Sequence, residues 1–226
     1  MELRYQLGQI SQQTLTQVQN GYDTLVNTIS GLETTIGTMK ASLQSLLGEA
    51  PSGTLTLLDT PSVSPEELSG IVYASDLASG KEKSYAIYTA ARAVENAEDD
   101  MADALKDHGK SSFQYQMAEH TYQSAVYQNS AAVAGFELSV QNLFRAIAPA
   151  QATLAVKEND LVYQEQVFSA AELKHAQGNL SANGLEDARS TLESARRDVE
   201  IARLDLFTAY HAYRQAVTLG LTGSAG

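Results

Sequence analysis

Cysteine and tryptophan are both absent from the 226 residues. The lack of cysteine excludes a disulfide framework, a thiolate nucleophile and any cysteine-ligated metal site. Basic charge is scarce: 15 Lys and Arg stand against 27 Asp and Glu, for a net charge of −12. No Lys/Arg cluster is available to displace counterions from phosphates, which disfavours nucleic acid as a partner. No run of about 18 apolar residues exists, so no helix is expected to span a bilayer. HExxH, P-loop and GxSxG patterns are missing as well, and with them the common metalloprotease, nucleotide and hydrolase chemistries. No signal-peptide pattern opens the chain. What is there is 43% hydrophobic and 19% charged, the balance of a folded protein. Much of the apolar share is alanine, which favours close helix packing over a thick globular core.

The dominant feature is an internal repeat. Glu2–Leu15 reads ELRYQLGQISQQTL and Glu172–Leu185 reads ELKHAQGNLSANGL. Glu2/Glu172, Leu3/Leu173, Gly8/Gly178, Ser11/Ser181 and Leu15/Leu185 match at a spacing of 170 positions, and Arg4/Lys174 and Ile10/Leu180 are conservative partners. Both stretches predict one device, in which a helix ends, the chain turns, and a new helix begins. Gly8 and Gly178 suit a left-handed C′ position, where a side chain would clash. Ser11 and Ser181 suit an N-cap, their hydroxyls accepting from an amide of the next helix. Ile10 with Leu15, and Leu180 with Leu185, stand at the N′ and N4 positions of a hydrophobic staple.

From Ser11 the apolar residues Leu15, Val18, Tyr22, Leu25, Ile29, Leu32, Ile36, Met39, Leu43 and Leu46 alternate steps of three and four. This is an a/d coiled-coil seam of about five heptads, flanked mostly by Gln, Thr, Ser and Asn. Gly48, Pro51 and Gly53 stop it. Residues 54–58 predict a short extended segment. Ser64-Pro65-Glu66-Glu67 marks a helix start with a serine cap, proline at N1 and glutamate at N3, and that helix is expected to run to about Leu77 and end near Gly80. A further helix is expected over about 82–106 on Ile87, Ala90, Val94, Ala97, Met101 and Ala104. After the break at Asp107-His108-Gly109-Lys110, a helix of about 65 residues, near 100 Å long, is expected over 111–177, with Pro149 inside it. The last helix, about 182–219, has the seam Leu185, Ala188, Leu192, Ala195, Val199, Ala202, Leu206, Ala209, Tyr213 and Ala216. Each member lies 170 residues after its counterpart in the first seam. Glu193 with Arg197 and Glu200 with Arg203 are expected solvent-face pairs, and residues 221–226 a disordered tail.

Little suggests chemistry. His108, His120, His175 and His211 are scattered without a partner at ligand spacing and read as surface or turn residues. Asp99, Asp100 and Asp103, and Asp107 beside His108, read as an acidic helix end and not as a cation site. Tyr22, Tyr122 and Tyr213 fall on seams and read as core. No catalytic residue, metal ligand or cofactor is assigned, and an enzyme is not expected.

Arg4-Tyr5-x-Leu7-Gly8-x-x-Ser11, with its heptad helix closing on Leu46-Leu47-Gly48, resembles the TolC family of outer-membrane efflux proteins. So does Gly178-x-x-Ser181-x-x-x-Leu185-x-Asp187-Ala188, closing on Ala216-x-x-Leu219-Gly220. The resemblance covers most of the chain. It implies an all-α fold of long antiparallel coiled-coil hairpins, a protomer fragment of an α-helical barrel with a small irregular equatorial segment. The chain is then a single elongated domain over 1–226. Residues 1–48 form the tip turn and returning helix of repeat one, 49–81 the equatorial segment, 82–220 repeat two and 221–226 the tail. The descending helix of repeat one would precede Met1, so the chain is expected to be a fragment that begins inside a helix.

In function, the resemblance implies part of an export conduit in the bacterial cell envelope. Its partners would be two further copies in a homotrimer, a periplasmic adaptor and an inner-membrane pump. Gly8, Ser11, Gly178 and Ser181 would build the adaptor-docking tips, and Gln12, Gln13, Asn183 and Asp187 would flank the aperture. Two departures from the family pattern are visible. His108-Gly109-Lys110 stands where the family inserts membrane strands, so no barrel strands are expected here. Gly184 and Thr14 stand where the family's gate carries aspartates, and Val18 stands where Ala188 matches the family. The alternative reading is an extracytoplasmic scaffold or spacer built of the same hairpins without transport.

Overall fold

A computed structural model describes residues 1–50, Leu55 and residues 60–221. Among the described residues the fold is all-α, as the periodicity predicts. Seven helices and no strand are present: α1 (Glu2–Gln6), α2 (Gln12–Leu46), α3 (Pro65–Ser69), α4 (Tyr73–Lys83), α5 (Tyr85–His108), α6 (Phe113–Ala176) and α7 (Ala182–Leu219). The chain divides into two compact units, Met1–Thr60 and Pro61–Gly226. The extended segment expected at 54–58 lies, apart from Leu55, outside the described residues, as does the tail beyond Leu221.

The first unit is α1, a turn and the 35-residue α2. α2 ends as its sequence predicts. Gly48 takes φ +75°, the Gly48 amide donates to the Ser45 carbonyl at 3.1 Å, and the Glu49 amide donates to Gln44 at 2.9 Å. These two bonds form a Schellman stop, and a Cβ at this φ would be strained. The expected seam is present on one face but bare. Of the seam residues only Leu15 is buried, while Tyr22, Leu25, Ile29, Leu32, Ile36 and Met39 are all more than half exposed. Tyr22 is thus not a core residue among the described residues, because no helix lies over it.

In the second unit α6 is the common backbone. Its 64 residues span about 96 Å at 1.5 Å per residue, and it runs through Pro149 without ending. Pro149 has no N–H, so the Arg145 carbonyl lacks its usual partner within the helix. α5 packs on the first part of α6, with Ala97 and Ala125 buried between them. α7 packs antiparallel on the last part, with Leu192, Ala195, Val199, Ala202 and Leu206 buried. Both seams were visible in the three-four spacing. The largest core lies where α4, α6 and α7 meet. Phe136, Val140, Ile147, Leu206, Tyr213, Ala216 and Val217 are buried together there, and Leu68, Leu77, Ile87 and Leu143 cover them. Each large side chain in it contributes about 1.5–3 kcal/mol of apolar burial.

Three local expectations are corrected. First, the helix expected from Ser64 to near Gly80 is two helices, α3 and α4, separated at Gly70–Val72, and Gly80 lies inside α4. A Cβ on Gly80 would stand 3.0 Å from the Ala216 carbonyl oxygen and 3.0 Å from Phe136 Cζ, so this glycine permits close packing and does not stop a helix. Second, the break before α5 falls at Ser84, whose hydroxyl caps the Ile87 amide at 3.5 Å. Gly220, in the left-handed conformation at the end of α7, packs against the backbone at this break. A Cβ there would come within 2.5 Å of Lys83 C and O and Ser84 N. Third, Glu193 pairs with Arg196 at 2.9 Å, one turn position before the expected Arg197. The expected Glu200–Arg203 pair forms at 3.0 Å.

Candidate functional site: the two glycine turns

Each unit contains one copy of the repeated turn, and the two copies close through the same hydrogen bonds. In the first, the Gly8 amide donates to Tyr5 and the Gln9 amide to Arg4, both at 2.8 Å. In the second, the Gly178 amide donates to His175 at 2.9 Å and the Asn179 amide to Lys174 at 2.8 Å. Gly8 and Gly178 take φ +71° and +76°. These are the two bonds of a Schellman motif, with glycine at C′. No atom lies within 4 Å of a Cβ built on either glycine, so the left-handed backbone and not crowding requires them.

The next helix starts alike in both copies. Ser11 is extended and its Oγ accepts from the Thr14 amide at 3.1 Å, and Ser181 Oγ accepts from Gly184 at 3.1 Å. Each hydroxyl thereby satisfies one of the orphan amides of a helix start. Ile10 and Leu180, at N′, are half-buried, while at N4 Leu15 is buried and Leu185 half-buried.

The copies differ in two details. In the first, the Thr14 hydroxyl shares a 3.0 Å hydrogen bond with Ser11. The matching Gly184 leaves room for Leu180, whose Cδ1 would lie 2.7 Å from a Cβ at that position. Second, His175 Nδ1 lies 2.8 Å from the Leu180 carbonyl oxygen, a bond that bridges the turn. Tyr5 is the counterpart of His175 and is exposed.

All eight residues assigned from the sequence lie at these turns or in the first turns of the helices after them. Gly8, Ser11, Gln12 and Gln13 surround the first turn, and Gly178, Ser181, Asn183 and Asp187 the second. Gln12, Gln13, Asn183 and Asp187 are exposed. Sequence spacing did not reveal the His175 bridge, nor Arg189, whose guanidinium lies 3.4 Å from Glu186 and 5.9 Å from the Phe168 ring centre.

Elsewhere two polar contacts lock the second unit. The buried Tyr213 hydroxyl donates to Asp76 at 2.9 Å. Burial first, and then that bond, push the Tyr213 pKa well above the usual tyrosine value. Lys157 donates to Asp198 at 2.7 Å, and that hydrogen bond is the main reason its pKa is raised. Among the described residues no group of three or more potential metal ligands occurs, and no helix is long and apolar enough to cross a membrane. The sequence matches no protein-family model and no curated protein.

Proposed function

We propose that this chain is a TolC-like component of an export conduit in a bacterial cell envelope, acting by helical assembly and docking and not by catalysis. The reading rests on the two glycine turns, which share residues, hydrogen bonds and caps at a spacing of 170 positions. A turn repeated with this fidelity, each feeding a long helix with a coiled-coil seam, suits a tip presented several times around a closed ring. In this reading Gly8, Ser11, Gly178 and Ser181 shape the tips that meet a periplasmic adaptor, itself coupled to an inner-membrane pump. The exposed Gln12, Gln13, Asn183 and Asp187 flank the opening, and three copies close the ring around it.

Light scattering of the purified chain tests the assembly, with a trimer as the expected mass. Capture by an adaptor's helical tip tests the docking, and Gly8→Val with Gly178→Val should abolish capture. A monomer that captures no adaptor would replace this reading with the second one.

The second reading is an extracytoplasmic scaffold that uses the hairpins as a spacer. It is favoured by one observation. α5 and α6 are joined by residues 109–112 alone, whereas a membrane-spanning strand needs about 9–11 residues.

A further inference from the structure

We propose that Asn20 in α2 is a site of spontaneous modification, where the chain closes a succinimide that water opens to aspartate or isoaspartate. Asn183, which has the same glycine neighbour, is shielded by the capped turn that starts α7. The inference rests on the chemistry of the Asn-Gly pair and on its two settings, and it holds whether the molecule is a conduit or a scaffold.

Asn20-Gly21 and Asn183-Gly184 are the two places where asparagine precedes glycine. The reaction is internal. The Gly21 backbone nitrogen attacks the Asn20 side-chain carbonyl carbon, a C–N bond forms, and the side-chain amide leaves as ammonia with the proton that the nitrogen gives up. Water then opens the ring. Opening at the side-chain carbonyl gives aspartate, and opening at the main-chain carbonyl gives isoaspartate, whose backbone is longer by a methylene. Glycine favours the step because it has no Cβ, so its nitrogen is unhindered and its backbone bends at little cost. Helical ψ at the asparagine keeps that nitrogen away from the side-chain carbon. The rate therefore follows how often each site opens.

α2 opens readily at Asn20. Both residues of the pair are exposed and lie off the seam, between Val18 and Tyr22. No atom lies within 4 Å of a Cβ built on Gly21. The Thr24 hydroxyl donates to the Asn20 carbonyl at 2.8 Å and competes with the helix's own amide for that oxygen. Gly21, Gly31 and Gly37 all lie inside α2, and only proline forms helices less well than glycine. Its ionic side chains are Asp23, Glu33 and Lys40 alone, so few charge pairs support it.

At Asn183 the same dipeptide is held. The Gly184 amide donates to Ser181 Oγ at 3.1 Å. Leu180 packs so closely that its Cδ1 would lie 2.7 Å from a Cβ on Gly184. His175 Nδ1 spans the turn to the Leu180 carbonyl oxygen at 2.8 Å. Before the Gly184 nitrogen can attack, the cap must break and Leu180 must move.

The product acts on α2. Aspartate at position 20 adds a carboxylate one turn before Asp23, and like charges so spaced weaken a helix. Isoaspartate interrupts the hydrogen-bond ladder in the third turn after the Ser11 cap. The modification loosens the helix beside the first glycine turn and leaves the second turn unchanged.

To test this, the full chain is incubated at mildly alkaline pH, sampled over time and digested with trypsin. Asn20 falls in the peptide Tyr5–Lys40 and Asn183 in His175–Arg189, and fragment masses separate them from Asn27 and Asn179. Conversion reads as the mass gain of an amide becoming a carboxylate, in separate chromatographic peaks for aspartate and isoaspartate. In the folded chain Asn20 should convert at least about tenfold faster than Asn183, equivalent to about 1.4 kcal/mol in opening free energy. In urea, where neither helix persists, the two rates should converge. Gly21→Ala should abolish conversion at Asn20, and Ser181→Ala should speed conversion at Asn183 about fivefold by removing its cap. Equal folded rates, or a faster Asn183, would overturn the proposal. A ratio that persists in urea would also overturn it, since sequence and not structure would then set the rates. An unchanged Asn183 rate in Ser181→Ala, with helicity retained by circular dichroism, would overturn the shielding by the cap.

Discussion

α2 and α7 are one pattern in two circumstances. Ten seam positions match at a spacing of 170, both helices start from a capping serine after a left-handed glycine, and both run for more than 30 residues. Yet Leu206 is 3% exposed and its counterpart Ile36 is 52% exposed. The difference comes from the neighbour. Among the described residues, α7 has α6 along its seam, and α2 has the five-residue α1 at its start. Periodicity thus decides which face of a helix is apolar, and the chain that enters the turn decides whether that face becomes core.

The sharpest way to break the comparison is to truncate the same seam position in each copy. Leu206→Ala should cost about 2–5 kcal/mol in chemical denaturation followed by circular dichroism, because it opens a cavity in the packed core. Ile36→Ala should change stability by less than about 0.5 kcal/mol, as an exposed substitution does. Equal costs would mean that α2 is covered in solution.

The left-handed glycines allow a second contrast. Gly220→Ala should cost about 3 kcal/mol, since the new Cβ meets the Lys83 backbone in addition to the disfavoured φ. Gly178→Val, with open space around it, should cost about 1 kcal/mol or a little more from the backbone alone.

Tyr213→Phe separates packing from hydrogen bonding where Leu43, its counterpart, has no such bond to lose. It should cost about 1–2 kcal/mol by leaving Asp76 without its donor. The Tyr213 pKa is raised in the folded state. Its contribution is therefore complete below about pH 10, the unfolded tyrosine value, and is lost as pH rises beyond it. The variant should show a shallower alkaline loss of stability in pH-dependent melting, and an unchanged slope would remove Tyr213 from that role.

The smallest expected effect is a gain. Gly31→Ala should stabilise α2 by about 0.5–1 kcal/mol, measured as increased helicity, since its φ is ordinary and nothing lies near its Cβ. The same kind of change at Gly80, also inside a helix, should destabilise.

Much of this was legible in the sequence, for reasons that the exceptions clarify. Helix ends were predictable because Gly8, Gly48, Gly178 and Gly220 need a left-handed backbone, and Ser11, Ser64 and Ser181 have hydroxyls suited to caps. Those are local requirements. Gly80 misled because a glycine that admits a neighbour reads the same as a glycine that ends a helix, and the neighbour is Ala216, far along the chain. Arg196 was passed over for Arg197 because i,i+3 and i,i+4 spacings both suit an ion pair on a helix, and spacing alone does not choose between them. The turn residues Gly8, Ser11, Gly178 and Ser181 were found through their repetition. The His175 bridge was not, because Tyr5 breaks the match there. Tyr22 and Tyr213 both read as core from spacing, and only Tyr213 has a helix to close over it.

The 137 residues that separate Asp76 from Tyr213 set an order of assembly. α5 with α6, and α6 with α7, are hairpins joined by short turns, so each can zip up from contacts near in sequence, the kind that form fastest. The short α4 has no such route. Its seat on Phe136, Ala216 and Val217 exists only after α6 and α7 have paired. Refolding should therefore gain nearly all of its helix signal in a fast phase and bury the Tyr213 ring in a slower one. During that interval the Asp76 carboxylate is still in water and the apolar floor beneath α4 is open to solvent.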